Sequence, residues 1–138
     1  MRRIMVVFAL AALLAGCATL GNQSKDKLRD QTLDDYAAAL RWGGFAGAYQ
    51  FVDPKIREEH PLDAAAKQRY DSVVVAQYDT DGPSAVDENT IRQAVQISLI
   101  NKASQSAYDI VDQQTWRWDP AAKHWWLESG LPDISPQQ

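Results

Sequence analysis

Helical periodicity ends at Tyr70 and strand texture begins at Val73, and this change of pattern restricts the fold more than any other feature of the chain. Upstream, Leu33, Tyr36, Ala37 and Leu40 recur at i, i+3, i+4 and i+7, one face of a helix. Thr32 with Asp35 three residues on reads as an N-cap pair, and Gly43-Gly44 interrupts the stripe. Phe45, Ala48, Tyr49 and Val52 repeat the spacing up to Asp53-Pro54, where Asp53 caps a short turn with Pro54 at its first position. After the His60-Pro61 break, residues 62–70 are good helix formers with Asp63 near their start. Downstream, residues 73–78 are rich in β-branched residues, and residues 90–101 alternate with Val95, Ile97 and Leu99 on one face. Residues 107–118 put Tyr108, Ile110, Trp116 and Trp118 on one parity, and residues 124–128 form a last short strand. The segment from Asp79 to Asn89 reads as a loop dense in turn residues. Helices first and strands afterwards predict an α+β domain, with N-terminal helices packed on an antiparallel sheet of four or more strands.

Composition narrows the function. The 138 residues suit one domain, and 14 Lys+Arg against 18 Asp+Glu leave no basic face to neutralise nucleic-acid phosphates. One Cys makes neither an internal disulfide nor a multi-Cys zinc site, and two His are too few for a His-rich metal centre.

The N-terminus carries the sharpest signal. Arg2-Arg3 precede a run of twelve uncharged, mostly apolar residues, Ile4 to Ala15. A bilayer-spanning helix needs ~20 residues, whereas the apolar part of a secretory signal needs roughly 7–15. Leu14-Ala15-Gly16-Cys17 follows. This ending resembles the lipobox of bacterial lipoproteins. The resemblance implies that the Cys17 thiol receives a diacylglyceryl group, that the chain is cut between Gly16 and Cys17, and that the new N-terminus is acylated. Ala18, in place of Asp, implies outer-membrane sorting on the periplasmic face. Residues 1–16 are then a signal peptide, 17–31 the lipidated Cys and its tether, 32–132 the α+β domain and 133–138 a flexible tail. Losing Arg2 and Arg3 moves the formal charge from −4 to −6. Anchoring therefore falls to the acyl chains, each buried CH₂ contributing ~0.8 kcal/mol, and not to attraction between the domain and anionic lipid.

The stretches TLDDYAAALRWGGFAGAYQFVDP and TWRWDPAAKHWWLESGLP, with the order of elements between them, resemble the nuclear transport factor 2-like, or cystatin-like cone, superfamily. The resemblance implies a cone-like antiparallel sheet under the helices. It carries over no catalytic residue, because no acid or His of the enzymatic branches finds its place in this chain.

The chemical inventory is thin. There is no Gly-x-Ser-x-Gly, no Gly-Lys-Ser/Thr phosphate loop and no His-Glu-x-x-His, so no cofactor and no metal are expected. Asp79, Asp81, Asp87 and Glu88 do not match a calcium loop, since Gly82 and Thr90 fall at its positions 4 and 12, and they read as an exposed acidic turn. Trp116, Trp118, Trp125 and Trp126 surround one hairpin, either as core or as a stacking platform for a sugar ring or a partner. Trp116 and Trp118 share a face, while Trp125 and Trp126 must oppose each other. His124 beside them and His60 before its Pro are candidate bases or ordinary surface histidines. Asp109 falls opposite the Trp face and is solvated, whereas Asp112 shares the Trp parity with Tyr108 and is the candidate pocket carboxylate.

Three functions fit these residues. The favoured one is a non-enzymatic envelope module that binds a protein or a small ligand. The second is a cone-type isomerase, dehydratase or hydrolase acting on a hydrophobic substrate, which requires an ionisable group in an enclosed pocket. The third is an accessory subunit of an envelope assembly, which requires an exposed apolar patch or an unpaired edge strand.

Overall fold

A computed structural model describes residues 24–137. The signal segment, Gly16, Cys17 and the first part of the tether lie outside the described residues. A helical run reaching residue 51 packs against a curled antiparallel sheet that forms a half-barrel, an α+β fold. The run consists of α1 (24–38), one π-helical turn (Ala39–Gly43), α2 (Gly44–Ala48) and a 3₁₀ turn (Tyr49–Phe51). Two short helices follow, α3 (Pro54–Glu59) and α4 (Ala64–Asp71). The strands are β1 (Val73–Thr80), β2 (Ser84–Asp87), β3 (Thr90–Asn101), β4 (Ala107–Asp119) and β5 (His124–Leu127). They pair in the order β1-β3-β4-β5, with β2 also on β3.

The predicted stripes face the sheet. Tyr36, Leu40, Phe45, Ala48 and Val52 are buried against Val95, Ile97, Leu99, Ile110 and Trp116. Thr32 does not start the helix. It lies inside α1 and its hydroxyl donates to the Leu28 carbonyl one turn back, 2.7 Å away. Leu28 also packs against the core, so the stripe begins a turn earlier than the capping pair implies. Gly43-Gly44 interrupts the helix as the sequence predicts, because Gly44 at ψ −178° leaves helical geometry before α2 resumes the run. The widened turn finishes there, and Gly44 takes φ +71°, where a side chain would be strained.

Asp53 works as expected at its cap and does more. Its carboxylate accepts from the Lys55 N–H at 2.9 Å and from Arg117 Nη2 at 2.6 Å, and its own N–H donates to the Leu127 carbonyl. Asp53→Ala should therefore lower stability by roughly 1–2 kcal/mol, the loss of a cap joined to that of a charged hydrogen bond, as read by urea denaturation. A variant as stable as the parent would show that the cap and ion pair contribute nothing.

Two stretches differ from expectation. The segment 79–89 is not one loop, because β1 runs on to Thr80 and β2 lies along the same edge of β3. Residues 81–83, where Gly82 takes φ +95° and Pro83 has no N–H to donate, and the turn at 88–89 leave the ladder. The packing also passes the expected domain limits at both ends. Ile134 is buried, its carbonyl accepts from Tyr108 Oη at 2.6 Å, and the Gln137 side chain brackets the Val111 N–H and C=O at 3.0 and 3.1 Å. Strand β4 pairs with β5 only over 116–119, so the tail covers an edge that no strand occupies.

Candidate functional site

The buried positions of β3 and β4 are apolar except at three, Gln93, Asp112 and Gln114. Register places Gln93 directly opposite Gln114 and Val95 opposite Asp112. The Gln114 amide is the hub. Its Oε1 accepts from Gln93 Nε2 at 2.7 Å and from Trp116 Nε1 at 3.1 Å. Its Nε2 donates to Asp112 Oδ2 at 2.8 Å and to Tyr78 Oη at 3.1 Å. The Trp116 indole only donates, which sets the orientation of the amide.

Asp112 is 8% exposed, and among the described residues no cation forms an ion pair with it. Burial pushes its carboxyl up to about 6, against the opposing pull of the Gln114 hydrogen bond. Burial likewise pushes the Tyr78 phenol up to about 12. Tyr36 reaches down from α1 with its ring edge-on to Trp116, centroids 5.1 Å apart. Its hydroxyl is fully buried and has no hydrogen-bond partner among the described residues. Burial raises its pKa far above the usual tyrosine value, and the neighbouring charge of Asp112 adds to the effect. A buried hydroxyl without a hydrogen bond and a buried carboxylate without an ion pair each oppose folding.

A surface cleft of about 290 Å³ opens between α1 and the β1–β2 break, and Tyr78 and Gln93 form part of its wall. Neither Asp112 nor Tyr36 lines it. The network thus joins a buried proton-accepting group to the surface through side chains that can pass hydrogen bonds.

The other predicted site residues separate into distinct places. Trp116 is fully buried core. Tyr108 is half-buried and fastens the tail through Ile134. Trp118 and Trp125 pair across β4 and β5 with centroids 5.5 Å apart, and the Lys25 ammonium lies 5.9 and 5.7 Å from them. Trp126 and His124 occupy the opposite face, 4.1 Å apart, and burial pulls the imidazole pKa below its usual value. The hairpin tryptophans therefore do not form one platform. Asp109 is exposed and accepts from Ser98 Oγ at 2.6 Å. His60 is exposed on the rim of a cleft of about 420 Å³ near α4. Asp79, Asp81, Asp87 and Glu88 are strung along β1, β2 and their connections, and no metal-ligating cluster occurs among the described residues.

Sequence reasoning missed Gln93, Gln114, Tyr36 and Trp42. The two glutamines carried a readable signal, since each is a polar residue on the apolar parity of its strand. Trp42 is 83% exposed beside the Arg41 guanidinium, which lies 5.6 Å from its ring. Its signal was the converse, a large aromatic off the 33-36-37-40 stripe. No helix among the described residues is long and apolar enough to cross a membrane. Comparison with known protein families and with curated proteins gave no match.

Proposed function

We propose that this chain is an outer-membrane lipoprotein whose α+β domain is a non-enzymatic module of the periplasmic face, binding an envelope protein or a small ligand. The observation that carries the reading is Leu14-Ala15-Gly16-Cys17 directly after a doubly charged start and a twelve-residue apolar run. Ala18 supports outer-membrane sorting. The half-barrel under a helical layer is compatible with the cone superfamily. The burial of Asp112 and the edge-on packing of Tyr36 on Trp116 support binding over catalysis. Trp42 supports a protein partner, as an aromatic side chain that folding leaves in water.

The enzyme reading has one observation in its favour, the buried Asp112 carboxyl, without an ion pair among the described residues and with its raised pKa, near the Tyr36 hydroxyl that lacks a hydrogen bond. It requires a movement that opens the buried Asp112 carboxyl to a substrate.

Cys17→Ser tests the anchor. The variant should lose incorporation of labelled palmitate and accumulate as uncleaved precursor. Acylation at the parental level would overturn the lipoprotein reading.

A further inference from the structure

Three parts of the chain meet at one end of the half-barrel. The Lys25 ammonium donates to the Glu88 carbonyl and to Asn89 Oδ1, in the turn between β2 and β3. Trp125 Nε1 donates back to the Lys25 carbonyl at 3.2 Å, and the Trp118 N–H donates to the Asn89 carbonyl at 2.7 Å. The start of α1 is thus pinned between the β2–β3 turn and the β4–β5 hairpin. Only six residues, Ala18 to Gln23, separate the lipobox cysteine from Ser24. Fully extended, the seven steps from Cys17 to Ser24 span about 25 Å. Strand β4, with 13 residues, is itself about 40 Å long. An acylated Cys17 would hold this end of the domain close to the lipid and leave the β3–β4 turn distant.

The surface of this end suits such a contact. In the β4–β5 turn the Asp119 carboxylate accepts from the N–H groups of Ala121 and Ala122, at 3.0 and 3.2 Å. With those donors satisfied, the exposed Pro120, Ala121 and Ala122 present mainly apolar side chains, followed by Lys123. Val86, on β2 across β3 from β4 and beside the β2–β3 turn, is 52% exposed. Half-buried Trp118 lies behind them, an amphipathic ring of the kind enriched at membrane interfaces.

We infer that the β4–β5 turn and Val86 rest on the phospholipid headgroups of the membrane that anchors the chain, so that the domain is held in one orientation. The inference rests on the lipoprotein reading. It adds a lipid-contacting surface and leaves the β3–β4 turn facing the aqueous space.

The test uses the full-length gene product, acylated in cells, purified and reconstituted in phosphatidylcholine–phosphatidylglycerol vesicles. Acylation occupies the only native thiol, so Ala121→Cys and Ala103→Cys each accept a single fluorescent maleimide, at opposite ends of the sheet. Spin-labelled phospholipid should quench the probe of Ala121→Cys severalfold more strongly than that of Ala103→Cys. Equal quenching on chains whose intact mass shows the acyl groups would overturn the orientation and spare the anchor. Chains that carry no acyl groups would overturn both.

Discussion

Trp116→Ala should lower the unfolding free energy by about 3–5 kcal/mol, the largest effect expected of any of the five tryptophans. Its ring is fully buried, meets Tyr36 edge-on and gives its N–H to the network hub. Truncation opens a cavity beneath α1 and removes one donor from Gln114 Oε1. Trp42→Ala should stay within about 0.5 kcal/mol of the parent, since that side chain stands in solvent. Urea denaturation followed by far-ultraviolet circular dichroism compares the two without relying on the deleted fluorophores. A loss below 1 kcal/mol at Trp116 would mean that the helical layer does not depend on this contact.

Asp112→Asn should stabilise the domain at pH 7, by at most about 3 kcal/mol. The native carboxyl titrates near 6 and the unfolded one near the ordinary 3.8. Between those values the native state holds the proton more tightly, so this group favours folding at low pH. That contribution fades as pH rises from about 4 through 6, and above it the buried charge opposes folding at full strength. Asn keeps an acceptor for Gln114 Nε2 and removes the charge. The stability gap between variant and parent should open from pH 4 to pH 7 and then level off. Denaturation at pH 4, 5, 6 and 7 measures it. A variant less stable than the parent at pH 7 would show that the charged carboxylate has a partner that this account does not contain. A stabilising substitution at a buried polar position is also a functional sign, because groups kept at the expense of stability concentrate at sites.

The fold was legible because its periods are clean. Residues 33, 36, 37 and 40 and then 45, 48, 49 and 52 mark one helical face, and the alternation along β3 and β4 marks the inner face of the sheet. What was hidden depended on distant partners. Thr32 has the chemistry of a cap, and only the packing of Leu28 shows that the helix is already under way. The turn residues between Asp79 and Asn89 are real punctuation, yet β3 is long enough to hold both β1 and β2 along one edge. Ile134 looked like part of a loose tail because its buried contacts lie on β4, 26 residues away for the bond to Tyr108. Asp112 was legible by parity alone. Its hub, Gln114, carried the same signal two residues later, and Tyr36 hid among the core positions of α1 because an orphaned hydroxyl leaves no mark in a periodic pattern.

The central claim is the anchor, and the most direct measurement is the intact mass of the chain in the membrane fraction of cells expressing the native gene. The account predicts the mass of residues 17–138 plus the diacylglyceryl group and an amide-linked acyl chain. A full-length, unmodified chain in the soluble fraction would contradict it.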